Sequence, residues 1–367
     1  MLALEWRLLE LVSVGLQSDG DRAEFEELIA AGGLHWGEVL DQALRHKVLH
    51  LLAHAVAARD GWGHLPRFLS EHFREALRVN RHRLRLYRQA AVDITAALEQ
   101  RGVRVAGTKG IALESTVYEG SGERYMVDID FMIRPADGEA ATSVMRDLGY
   151  VPGYYDWRTG DLHGFTRREL IAYRLNPDHL PPFTRVVDDA IVPHLGADLA
   201  CSLTWTQCEY QVDMDEVLAT VPRQAVPGLP GRTIPVLAPQ YQFLFTILHL
   251  FREAWKDEWL DLEQDVNLIK FADVLRLWRR HHETLATPAF HRVLEHCGVV
   301  EPVAWVLVHL DRTFGTGLAA TLEVETRAAA EFLNSASAPG GLARRRWRGT
   351  MRDRLHTRER HGLFEKT

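Results

Sequence analysis

Through the first hundred positions apolar residues recur at three- and four-residue spacing, as in Leu8, Leu9, Leu11 and Val12 and again in Phe25, Leu28 and Ile29. This is the period of amphipathic helices. Pro66 marks a break, and the last helix predicted in this zone covers residues 80–101. It carries Arg81, Arg83, Arg85 and Arg88 with Leu84 and Tyr87 among them, which reads either as a solvated face or as charges that guide an anionic ligand. From residue 102 to 236 the pattern changes to short β-rich runs. Val103-Arg104-Val105-Ala106 is an expected strand ending at Gly107, residues 111–118 an apolar helix, and residues 125–133 a strand buried on at least one face. Pro135 is placed to open a helix that Gly149 stops. Gly164-Phe165-Thr166 and residues 170–175 are further strand candidates, residues 176–193 an expected loop, and residues 195–203 a late strand. Helical periodicity returns at Pro239 and lasts to about residue 332. The pattern therefore predicts an α+β chain in four parts: a helical region at 1–101, a β-containing core at 102–236, a helical bundle at 237–333, and a linker with a basic tail at 334–367.

Length and composition permit this organisation, since 367 residues at 46% hydrophobic content can support two or three packed units. The net charge of −7 argues against general DNA binding. It is unevenly spread: the last 27 residues hold nine Lys or Arg against three acids, leaving the remainder at −13. The arm around Arg344, Arg345, Arg346, Trp347 and Arg348 thus has three candidate contacts: nucleic acid, an acidic partner, or the protein's own acidic body, which is the favoured reading. Three cysteines, Cys201, Cys208 and Cys297, form no disulfide framework and point to a reducing compartment. The spacing of His281, His282, His291, His296 and Cys297 fits no common zinc site. Glu5, Arg7 and Glu10 interrupt the first apolar stretch, unlike a secretory signal, and no run approaches the roughly 18 apolar residues of a membrane span. Cytoplasm is the expected location.

The candidate chemistry centres on Asp128 and Asp130, two acids inside an otherwise apolar run. Alternate side chains of a strand share a face with Cα atoms roughly 6.5 Å apart, so both carboxylates point one way while Ile129, Phe131 and Ile133 cover the other face. Two unit charges about 5 Å apart repel by roughly 3 kcal/mol at an effective dielectric of about 20. A divalent ion between them removes that cost; the alternative is two solvated acids on an edge strand. Upstream, Gly107-Thr108-Lys109-Gly110 joins a strand to a helix. Strand, glycine turn, helix, acidic strand is an order suited to phosphates: glycine lets the backbone approach closely, amides at a helix start favour anions, and Lys109 adds a point charge.

Thr108-Lys109-Gly110, the helix ending at Tyr118, and Arg124 four residues before Asp128-Ile129-Asp130 resemble the signature of the uncharacterised nucleotidyltransferase family of the DNA polymerase β-type superfamily. The resemblance extends over roughly residues 10–285 and includes His179-Leu180-Pro181-Pro182-Phe183. It implies a small mixed-sheet nucleotidyltransferase core flanked by N-terminal and C-terminal helical regions. It also implies transfer of a nucleoside monophosphate from an NTP, with ATP expected, to a hydroxyl or phosphate, by means of two Mg2+ or Mn2+ ions held by the acidic pair and a third acid. The third acid that matches is Asp198, although Ala200 stands where the family usually has a histidine, and this leaves Asp188, Asp189 or His194 as alternatives.

On that resemblance, Asp128 and Asp130 bridge the metals and Asp198 binds the ion that activates the acceptor oxygen. Hard oxygen ligands suit magnesium, and an ion pair about 3.5 to 4 Å apart stabilises both the entering and leaving oxygens. Thr108, Lys109 and Gly110 receive the triphosphate. Arg124 either pairs with a phosphate or holds the acidic strand by a salt bridge. Lys270, one turn from Asp273, either reaches the nucleotide from a second wall or forms a helix-surface pair. His179 is an acceptor-side group, a base, or structural, and His249 reads as a core histidine. The acceptor is not written in the motif: a peptide or protein fits the family's association with peptide-tailoring genes, while a small molecule and an RNA end stay open. Two further functions remain, a catalytically silent nucleotide- or partner-binding module, which Ala200 would suit, and a kinase-like transfer of the terminal phosphoryl group.

Overall fold

The structure, a computed structural model, describes residues 3–206, 208–338 and 344–365. The chain divides into two units, Glu75–Gln242 and Met1–Arg74 together with Phe243–Thr367. Glu75–Gln242 holds a mixed six-stranded sheet of β1 Val105–Gly107, β2 Ile129–Ile133, β3 Val151–Asp156, β4 Asp161–Gly164, β5 Phe183–Val186 and β6 His194–Ala200. Its order is β1-β2-β6-β5-β3-β4. β2 and β6 are parallel and the other neighbours antiparallel. A small ladder, β7 Arg223–Ala225 with β8 Thr233–Pro235, follows and meets the end of β1 through a bridge between Gly107 and Val236.

Two periodicities meet in the core of this unit. Ile129, Phe131 and Ile133 of β2 and Leu195, Ala197 and Leu199 of β6 repeat every second residue. They pack in one cluster with Leu84, Tyr87, Ala91, Ile94 and Leu98 of the helix Arg67–Gln100. Each buried Leu, Ile or Phe contributes about 1.5–3 kcal/mol. Alternation then commits Asp130 and Asp198 to the opposite face of the sheet.

Four expectations are corrected here. Residues 170–175 are helical, not extended, within the helix Arg167–Leu175. Thr166 accepts from the Glu169 amide while the Glu169 carboxylate accepts from the Thr166 amide, a capping box that fixes the helix start. The stretch read as a loop contains β5, which begins directly after Pro181-Pro182, so the two missing N–H groups fall outside the ladder. The helix expected at 80–101 begins at Arg67, next to Pro66. The acidic strand starts at Ile129 rather than 125. Before it the backbone is held by side chains of the long helix: Asn80 donates to the Gly122 carbonyl at 2.9 Å and Tyr87 to the Val127 carbonyl at 2.7 Å.

Glu114, in the helix Lys109–Thr116, is fully buried and pairs with Arg88 of the long helix. Burial outweighs the arginine and pushes its carboxyl from an ordinary 4.5 up to about 7. Its favourable contribution to stability is therefore complete below pH 4.5 and lost as pH rises through about 7. Denaturant unfolding across that window is expected to show stability falling with pH, with the slope reduced in Glu114→Gln.

Met1–Arg74 and Phe243–Thr367 form a helical unit with Trp305, Phe251 and Phe271 buried in its core. Its C-terminal segment is integral to it. β9 Ser335–Ser337, inside the stretch read as a linker, pairs with β10 Arg344–Arg346, and Trp347 is buried; residues 339–343 of that stretch lie outside the described residues. Of the three contacts open to the basic tail, the observed one is the acidic body. Arg345 meets Asp257, Arg352 meets Glu10 at 2.9 Å, Arg358 meets Glu38 and Asp41 at 2.9 Å, and Arg354 and Arg360 both meet Asp265. Among the described residues no helix is long and apolar enough to cross a membrane.

Candidate active site

β2 and β6 place two of the three acids side by side. Asp130 and Asp198 are register partners on adjacent parallel strands, so their carboxylates leave the same face about 4.8 Å apart along the ladder. Asp128 precedes β2 by one residue and stands beside Gly196, where a Cβ would lie 3.5 Å from the Asp128 Cβ. No side chain at 196 covers this face. Two of the three alternatives, Asp189 and His194, are engaged elsewhere. Asp189 accepts from the Ile191 and Val192 amides at 2.9 Å and contacts His82 at 2.7 Å, and His194 stacks on Tyr155 with ring centroids 4.5 Å apart.

Lys109, Gly110 and Arg124 converge at the start of the helix Lys109–Thr116. The Thr108 amide donates to the Asp130 carbonyl at 2.9 Å, which ties the helix start to the acidic strand. The Thr108 hydroxyl is buried and has no hydrogen-bond partner among the described residues. Lys109 adopts φ +39°, a left-handed conformation that is rare outside glycine, and its Nζ donates to Asp130 Oδ1 at 2.7 Å. Its ammonium thus offsets the crowding of like charges at the Asp130–Asp198 pair. Gly110 is required by contact rather than by φ: a Cβ there would stand 3.1 Å from Arg124 Nη1 and 3.2 Å from Met126 Cβ. The Arg124 guanidinium is therefore seated against the Lys-Gly turn.

His179 joins the same face. Its backbone bridges Ala200 at the end of β6, and its Nδ1 lies 3.4 Å from Asp198 Oδ2. Tyr173, in the helix Arg167–Leu175 where the sequence predicts a strand, feels the same acid: burial and then the Asp198 charge raise its phenol. The same two influences push the Cys201 thiol up to about 12. Lys270 belongs to the helical unit, where its ammonium meets Glu253, which His249 also approaches at 3.4 Å.

Asp130 and Asp198 on one sheet face, with Asp128 beside Gly196, offer oxygen donors of the kind that suit magnesium or manganese. As they stand, Lys109 holds Asp130 and His179 holds Asp198. Among the described residues no three Asp, Glu, His or Cys side chains are gathered tightly enough to hold an ion without a change of rotamer.

The family model described as uncharacterised nucleotidyltransferase matches residues 32–315, which includes the Lys-Gly turn, Arg124 and all three acids. No curated protein matches the chain. The chain belongs to the uncharacterised nucleotidyltransferase family.

Proposed function

We propose that Glu75–Gln242 binds an NTP, with ATP expected, as its divalent-metal complex and transfers the nucleoside monophosphate to a hydroxyl or phosphate of an acceptor. The observation that carries this reading is the in-register pairing of Asp130 with Asp198 on parallel strands, with Asp128 beside Gly196. Asp128 and Asp130 would hold both of two Mg2+ or Mn2+ ions and Asp198 one of them; bound there, the ions supply charge neutralisation for the entering and leaving oxygens. Lys109 would exchange its Asp130 partner for the triphosphate, with Thr108 and the amide of Gly110 also on phosphate oxygens. Arg124, seated on Gly110, would pair with a phosphate in the planar, two-bond manner of a guanidinium. His179, beside Asp198, takes the proton of the acceptor hydroxyl as that oxygen bonds to the α-phosphorus. The bond from the α-phosphorus to the bridging oxygen breaks, and pyrophosphate leaves. A peptide or protein is the acceptor class this reading favours, and the cytoplasm its place of action.

One observation favours a silent nucleotide-binding module: the Lys109 ammonium sits on Asp130. Incubation of the whole protein with magnesium, a cell extract as acceptor source and either α- or γ-labelled ATP separates the readings. Incorporation of α-label with release of pyrophosphate is expected. Incorporation of γ-label would mean phosphorylation, and ATP binding without any incorporation would mean a silent module; either result overturns the transfer mechanism.

A further inference from the structure

Arg81, Arg85 and Arg88 lie on three successive turns of the long helix and, in Glu75–Gln242, line one concave pocket of about 270 Å³. Its other walls are Gly120 and the turn Pro227-Gly228-Leu229 between β7 and β8. Like charges at this helical spacing repel one another. Among the described residues only Arg88 of the three has an acidic partner, Glu114, and it also donates to the Pro227 carbonyl at 3.3 Å. Arg81 donates Nε to the Ser121 carbonyl at 3.2 Å. Arg85 contacts His82 Nδ1 at 2.8 Å, with Asp189 beyond the ring. Neither Arg81 nor Arg85 pairs with a carboxylate among the described residues.

The pocket walls are fixed by steric fit. Gly120 has φ +76°, and a Cβ there would overlap Pro227 Cβ and stand 3.3 Å from Arg88 Nη2. Gly228 is also left-handed at φ +76°, and a Cβ there would stand 3.8 Å from Arg88 Nη1, in ordinary contact. Two glycines thus bring backbone close to a buried guanidinium, while two exposed guanidiniums project over the same hollow. Self-repelling cations gathered in a concavity lower their energy when an anion enters. Guanidiniums recognise phosphate oxygens with parallel pairs of hydrogen bonds. The volume suits one or two phosphates with a small attached group, and it excludes a nucleic-acid duplex.

We propose that this pocket binds a small phosphate-bearing ligand at a site separate from the acidic cluster, with which it shares no lining residue. The site needs no metal, because guanidinium and backbone donors do the recognising. Binding here stands or falls independently of nucleotidyl transfer, since it requires no turnover.

The test is calorimetric titration of the whole protein with inorganic pyrophosphate in EDTA at low salt. One equivalent is expected to bind. Arg81→Gln and Arg85→Gln, both at exposed positions that leave the Arg88–Glu114 pair in place, are each expected to weaken it about tenfold or more, as loss of a charge-assisted hydrogen bond dictates. Arg85→Lys should recover part of the loss, and Lys109→Ala should bind as the parent does. Failure to bind in EDTA, the parent's affinity retained in the two Gln variants, or loss of binding in Lys109→Ala would each overturn the proposal, the last by placing the pyrophosphate at the Lys-Gly turn.

Discussion

Asp130→Asn is expected to lower metal-dependent transfer from α-labelled NTP by about a thousandfold, since on the proposed mechanism it removes a carboxylate that would hold the metals, worth several kcal/mol of transition-state stabilisation, and each 1.36 kcal/mol is tenfold in rate. Asp128→Asn should act similarly. The fold should survive both changes. At position 130 the amide oxygen still accepts from Lys109, so the stability change should be about 1 kcal/mol, the ordinary scale of one hydrogen bond. One of two crowded like charges also disappears, which offsets part of that loss. Manganese affinity in the presence of a non-hydrolysable NTP, followed by electron paramagnetic resonance, should fall in parallel with turnover. If both variants keep turnover near the parent's, the two-metal reading is wrong however well the acids align.

Asp265→Ala should be the most destabilising single change in the helical unit, by about 3–5 kcal/mol, because removal of one partner leaves buried charge uncompensated. That is a large share of the 5–15 kcal/mol that holds a typical domain together. Two guanidiniums depend on this carboxylate, Arg354 at 1% and Arg360 at 3% side-chain exposure, and Asp265 itself is fully buried. Arg358→Ala is the control. Its pairs with Glu38 and Asp41 are exposed, so it should cost under about 1 kcal/mol. The pH dependence has a definite sign. Burial alone would push the Asp265 carboxyl up, but Arg354 and Arg360 together bring it below its ordinary 3.8. Its contribution is therefore present above pH 3.8 and lost as pH falls through the lower folded value. Chemical denaturation should show acid destabilisation in that range for the parent and a flatter profile for Asp265→Asn. A change of less than 1 kcal/mol for Asp265→Ala would show that the tail does not need this pairing.

What could be read from the linear chain was local. Lys109-Gly110, Arg124 and Asp128-Ile129-Asp130 lie within about twenty residues, and their spacing alone places both acids of the pair on one strand face. The alternation of Ile129, Phe131 and Ile133 likewise assigns the core face before any neighbour is known. The Thr166-x-x-Glu169 pattern is equally local, and it announces the start of the helix Arg167–Leu175.

The remaining features depend on contacts between distant positions, where intervening chain leaves no trace in local spacing. Asp198 became the register partner of Asp130 through pairing of β2 with β6, a choice settled by burial of Leu195, Ala197 and Leu199 on the shared core face. His179 reached Asp198 because residues 178–180 hydrogen-bond along the end of β6. Arg81, Arg85 and Arg88 form a helical stripe that looks solvated in one dimension and acquires a second wall only when the β7–β8 turn folds over it. The basic tail is the same case at larger scale: its surplus charge is legible, but the choice of Asp265 as its buried anchor rests on packing, because desolvated charges are stable only where partners meet in full contact.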